Sequence, residues 1–107
     1  FLYQGKLGSE LSTEDGYEAF KLCALNVIAQ VHGKIGFDNI IGLNHMDAYY
    51  VADNNWDDSP IAVNGASDLF NQILGTAGTH SRAILGLDNL PRNFCAGIVS
   101  SFTLKNH

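Results

Sequence analysis

Apolar residues recur at three- and four-residue spacing through Tyr17, Phe20, Ala24, Val27, Ile28 and Val31, which predicts an amphipathic helix. The segment before it, residues 9–15 (SELSTED), carries entry signals: Ser12 or Thr13 can cap, and Glu14 and Asp15 suit the positive end of the helix dipole. The helix is expected to run to about His32 and to end at Gly33 and Gly36. A second helical face is formed by Val63, Ala66, Leu69, Phe70, Ile73 and Leu74, opened by Pro60 in its first turn and closed by Gly75 and Gly78. Strands are expected over residues 1–7 (FLYQGKL), 39–51 (NIIGLNHMDAYYV), 81–87 (SRAILGL) and 95–104 (CAGIVSSFTL). Residues 52–59 (ADNNWDDS) read as a polar loop around Trp56, and residues 88–91 (DNLP) as a turn. The order β-α-β-α-β-β implies an α+β sandwich with two helices on one face of a four-stranded sheet. The other face is left to solvent or to another subunit.

Composition narrows this picture. At 107 residues the chain is expected to form a single domain over residues 1–107. It is 46% hydrophobic and 16% charged, with mean hydropathy +0.01, too apolar for a disordered chain. No apolar run approaches the roughly 20 residues of a spanning helix. The charged fraction falls below the roughly 25% of soluble chains, which suggests surface covered by copies of itself. Six basic residues against eleven acidic ones give a formal charge of −5. The basic residues Lys6, Lys21, Lys34, Arg82, Arg92 and Lys105 are scattered, which argues against a nucleic-acid-binding module. Cys23 and Cys95 form no metal-ligating or redox pattern and read as buried free thiols of a cytoplasmic protein. The sequence opens at Phe1 in a strand-like run with no signal-peptide pattern, and residues upstream are expected to be missing from it.

Few residues stand out chemically. There is no nucleophile elbow, P-loop, zinc-helix motif or dinucleotide fingerprint. His32, His45, His80 and His107 do not cluster with cysteines or carboxylates at metal-ligand spacing, and no cofactor or metal is expected. Asp57 and Asp58 beside Trp56 could form a carboxylate pair, but a solvated loop, Asp53 included, is the better reading, because adjacent side chains point apart. Arg82 is one of only two arginines and precedes the apolar run Ala83-Ile84-Leu85. Such an arginine can fix a carboxylate bidentately, or it can be an edge charge that keeps a sheet soluble.

Four stretches of the chain together resemble the YjgF/Rid family, whose older label is L-PSP endoribonuclease. They are LYQGKLG at 2–8, DGYEAFKLCALNVIAQV at 15–31, VNGASDLF at 63–70 and HSRAILGLDNLP at 80–91. The wording is similar to the branch called chorismate-mutase-like. The resemblance implies a β-α-β-α-β-β fold like the AroH-type chorismate mutase, assembled as a homotrimer with ligand clefts between subunits. It assigns the carboxylate-gripping arginine to Arg82, a pocket asparagine to Asn64 and a cleft glycine to Gly5. The implied reaction is hydrolysis of reactive enamines and imines to a 2-oxo acid and ammonia.

The chain departs from that pattern at two places. Six residues after the Leu90-Pro91 pair, where active deaminases carry a glutamate on the last strand, this chain has Gly97. Two residues after Arg82, where a cysteine is common in the family, it has Ile84. The carboxylate grip is kept while the water-handling acid is lost, unless His80 or Asp47 substitutes. The expectation is a homotrimer that binds a small carboxylated metabolite through Arg82 in a cleft with Asn64, Gly5, Ile84 and Gly97, with weak or altered hydrolase activity. An active deaminase is the alternative. An endoribonuclease is disfavoured by the charge of −5. Chorismate mutase activity needs more positive groups than Arg82 alone offers.

Overall fold

The computed structural model describes residues 4–78 and 80–105. Helix α1 (Thr13–Ile35) is followed by strand β1 (Ile40–Tyr50), helix α2 (Ser59–Leu74), strand β2 (Ser81–Gly86) and strand β3 (Ala96–Leu104). The start of α1 is a capping box: Asp15 N–H donates to the Ser12 hydroxyl, and Ser12 N–H donates to the Asp15 carboxylate, each at 3.0 Å. The helix passes through Gly33 and stops at Gly36, whose φ of 77° a residue with a side chain resists. Gly33 therefore lies inside the last turn of the helix.

The sheet has the order β2-β1-β3, with β1 and β2 parallel and β1 and β3 antiparallel. Parallel pairing requires a crossover, and α2 supplies it. Both helices lie on one face, as the hydrophobic pattern predicts. The expected first strand falls partly outside the described residues. Its described part makes single bridges, Gln4 to Phe94 and Leu7 to Ala52, that extend the sheet at the Tyr50 end of β1. Leu7 is fully buried there, with its N–H on the Val51 carbonyl.

The core consists of Phe20, Ala24 and Ile28 from α1, Ala62, Val63, Ala66, Leu69 and Phe70 from α2, and Leu43, Met46 and Ala48 from β1. Ile73, expected on the buried face of α2, is 40% exposed instead. The helices approach most closely at Gly65, where a Cβ would stand 2.0 Å from the Tyr17 carbonyl oxygen. Beside that contact the Tyr17 hydroxyl donates to Asp68 at 2.6 Å, and this bond to a carboxylate raises the Tyr17 pKa above 10.0.

The polar loop before α2 is anchored. Trp56 Nε1–H donates to Thr13 Oγ1, which donates in turn to Asp58, at 2.9 and 2.8 Å. Asp58 thus ties the loop to the first turn of α1, while Asp53 and Asp57 are exposed. Cys23 and Cys95 are free thiols, as expected, and burial raises both to a pKa of about 11. No described helix is long and apolar enough to cross a membrane.

Candidate functional site

Strand alternation divides the sheet's side chains between two faces. Arg82 pairs with Met46, and Ile84 with Ala48, on the helix-facing side of the register. Arg82 is the first such residue of β2, so its long side chain leaves the core and reaches across to the outer turn of α2. There its Nη1 donates to Asn64 Oδ1 at 2.9 Å and to Ser67 Oγ at 3.1 Å. Asn64 and Ser67 are three residues apart on one helix face, so a single guanidinium nitrogen bridges both.

The chain of bonds continues. Ser67 Oγ lies 3.1 Å from His80 Nε2, and His80 Nδ1 faces the Gly78 carbonyl. A carbonyl can only accept, so in the neutral imidazole the proton sits on Nδ1 and Nε2 carries the lone pair. Ser67 then accepts from Arg82 and donates to His80. The His80 ring stands edge-on to Phe70, with centroids 6.0 Å apart, which fixes its plane. Ser67, Asn71, His80 and Arg82 line a cavity of about 270 Å³. That is below the usual 300–1,000 Å³ of drug-sized sites and suits a small ligand.

Among the described residues, no carboxylate lies in salt-bridge range of Arg82. Its Nη1 is held by neutral oxygens, and among the described residues its Nη2 and Nε have no hydrogen-bond acceptor. Two parallel N–H vectors remain for a bidentate acceptor. The charge is therefore held in place without being neutralised, in a chain where acids outnumber bases.

The other expected site residues lie elsewhere within one chain. Ile84 is partly buried against the core, on the same side of β2 as Arg82. Gly97 pairs with Tyr49, three register positions from the Arg82–Met46 level and on the opposite, open face. Gly5 is buried at the Tyr50 end of the sheet, where its N–H donates to the Asn93 carbonyl at 2.9 Å and its φ is 120°. Arg82 and Asn64 are brought together, and Gly5 and Gly97 are not joined to them by this chain alone. Ser67 is the member that the sequence did not single out, while His80 was named there, with Asp47, as a possible substitute for the missing acid.

A second polar array stands on the open face. His45 Nε2 lies 2.8 Å from Asp47, and its Nδ1 lies 2.7 Å from Ser81 Oγ. The register shift between Leu43 and His45 makes Asn44 an extra residue, which turns His45 onto this face. The array is open to solvent on a strand face, where no cleft concentrates a ligand, with His45 and Asp47 side chains 41% and 36% exposed. Asp47 is thereby paired with His45, on the side of the sheet away from Arg82. Among the described residues no cluster of three or more metal-ligating side chains occurs.

Comparison with known proteins agrees with this architecture. The family described as "YjgF/chorismate mutase-like, putative endoribonuclease" matches residues 1–103. Protein TCP17 of Trypanosoma cruzi is 29% identical over 104 residues, which are 95% of this chain and 65% of that protein. A crystal structure of a protein of unknown function from Agrobacterium tumefaciens superposes with TM-score 0.91 at 26% identity, over 94% of this chain and 66% of that one. Another, called a "putative endoribonuclease" from Shewanella oneidensis, gives TM-score 0.88 at 35% identity, over 91% of this chain and 65% of that one. The chain thus spans about two thirds of the length of these relatives.

Proposed function

Because the chain belongs to the YjgF/chorismate mutase-like family, we propose that it binds a small carboxylated metabolite through Arg82, in a cleft formed between copies of itself. The observation that carries this reading is the anchored guanidinium, fixed by Asn64 and Ser67 through one nitrogen and unpaired with any carboxylate among the described residues. A fork held in this way loses little side-chain freedom when a carboxylate docks on its remaining N–H groups.

Assembly into a homotrimer is part of the proposal. The face of the sheet away from the helices carries Val99 and Leu85 at 59% and 45% exposure, together with Tyr49. Covering that face with other copies would remove apolar surface from water, the usual driving force for association. It would also bring a neighbouring chain to Gly97, whose lack of a side chain leaves space where a larger residue would project. The soluble, cytoplasmic setting expected from the sequence belongs to the same proposal.

The experiment is calorimetric titration with 2-oxobutanoate, a short 2-oxo acid. Binding to the wild-type chain that weakens at least tenfold in Arg82→Ala supports the reading. Equal binding by the two proteins overturns it.

Active hydrolysis of an enamine or imine is a second reading, favoured by the His80 lone pair beside the same cavity. RNA cleavage, suggested by the wording attached to one structural relative, is less well supported. The net charge of −5 repels a polyanion, and the basic side chains form no stripe to release its counterions.

A further inference from the structure

We propose that Ser67 and His80 form a proton relay serving the Arg82 cavity, in place of an acidic residue. This rests on the reading of Arg82 as a carboxylate grip. The first support is direction. The Gly78 carbonyl holds the His80 proton on Nδ1, so the basic nitrogen Nε2 faces Ser67 and, through it, the cavity. The second is continuity. Ser67 Oγ is within hydrogen-bond reach of both the base and the guanidinium, at 3.1 Å each. Arg82 therefore favours charge on the Ser67 oxygen at the moment it passes its proton to His80. The third is rigidity. Phe70 fixes the imidazole plane, and a Cβ on Gly78 would meet the Phe70 carbonyl oxygen at 2.5 Å, so this turn packs tightly against α2.

A carboxylate bound on the free Arg82 nitrogens presents its neighbouring carbon to this relay. For a 2-imino acid the chemistry balances with water alone. The water oxygen bonds to carbon 2 while a water proton passes to Ser67 and the Ser67 proton passes to His80 Nε2. That proton is returned to the nitrogen to give the carbinolamine. The hydroxyl proton then follows by the same relay to the nitrogen, the carbon–oxygen double bond forms as the carbon–nitrogen bond breaks, and ammonia leaves the 2-oxo acid. Ser67 is the catalytic member, and His80 acts through it. No oxidant, metal or external base is required.

The test couples the purified protein to a threonine dehydratase, which supplies the imine of 2-oxobutanoate, and times ammonia release above buffer. His80→Gln keeps an acceptor for the Ser67 hydroxyl but cannot take up the proton. Ser67→Ala breaks the relay and leaves the Asn64–Arg82 bond intact. In both variants kcat should fall roughly 100-fold or more, the usual worth of positioned acid–base help. Affinity for 2-oxobutanoate should stay within about threefold of the wild type in His80→Gln, and free imidazole should restore part of the rate in His80→Ala. Wild-type kcat in His80→Gln overturns the relay while leaving the carboxylate grip in place. Arg82-dependent binding of 2-oxobutanoate with no acceleration of ammonia release also overturns the relay and spares the grip. Loss of Arg82-dependent binding overturns the grip and the relay together.

Discussion

Replacing Gly65 with alanine sets local preference against packing. In an isolated helix alanine is favoured over glycine by about 1 kcal/mol. At this crossing the added methyl would stand 2.0 Å from the Tyr17 carbonyl oxygen and 3.2 Å from the Lys21 nitrogen. Real Cβ atoms stay beyond 3.0 Å of such neighbours, so α1 and α2 must separate by about 1 Å where they touch. The obstacle is backbone, which cannot rotate away as a side chain can. A gap of about 0.5–1 Å forfeits a quarter to a half of each dispersion contact along the crossing. Phe20, Ala24, Ala62 and Ala66 all lie in that layer. Overpacking of this kind costs about 1–3 kcal/mol, and a backbone clash belongs at the upper end. After the gain in helix propensity, the net loss is about 2 kcal/mol, or roughly 10 °C in Tm. Gly33→Ala, in the last turn of α1, is the matched control, because nothing lies within 4 Å of its Cβ position. That substitution should stabilise by about 0.5–1 kcal/mol. Urea unfolding of both variants at one fixed protein concentration measures the two effects, since any self-association makes stability concentration-dependent. Unchanged or raised stability in Gly65→Ala would refute the close-approach reasoning, whatever Gly33→Ala does.

Two further outcomes follow from the same physical account. Ser12→Ala removes the side-chain half of the capping box and should cost about 1 kcal/mol by urea unfolding, with α1 otherwise unchanged in far-ultraviolet circular dichroism. Burial holds the Cys23 and Cys95 thiols at about 11 in the folded chain against 9.0 when unfolded, so the unfolded state loses these protons first as pH rises. Their contribution is complete below pH 9 and lost between about 9 and 11, and thermal melts across that window should fall more steeply in the wild type than in Cys23→Ala/Cys95→Ala.

Much of this fold is written in local signals. Ser12 and Asp15 mark the start of α1, Gly36 its end and Pro60 the first turn of α2, because capping and ring geometry act within a few residues. The alternation in β1 is readable only in part. Register shifts after Ile40 and after Leu43 each insert an extra residue, and no local preference announces a bulge. Arg82 and Asn64 were singled out through the family resemblance, and the fold brings their side chains within 2.9 Å of each other. Ser67 and His80 were not legible as a pair. They are 13 residues apart on different elements, and only the α2-to-β2 connection turns His80 back over Ser67. Gly65 lies inside the VNGASDLF stretch, and its need for no side chain is visible only once α1 brings the Tyr17 carbonyl against it. Gly5 and Gly97 were read as cleft residues, and a single chain sets them apart from Arg82, at the far end of the sheet and on its open face.

The most direct test of the carboxylate grip is a crystal structure of the protein with 2-oxobutanoate. The expected result is the carboxylate on Nη2 and Nε of Arg82, with Nη1 still bonded to Asn64 and Ser67 and a neighbouring copy closing the cleft. A cleft filled by the partner's own side chains, or a 2-oxobutanoate bound away from Arg82, would contradict it.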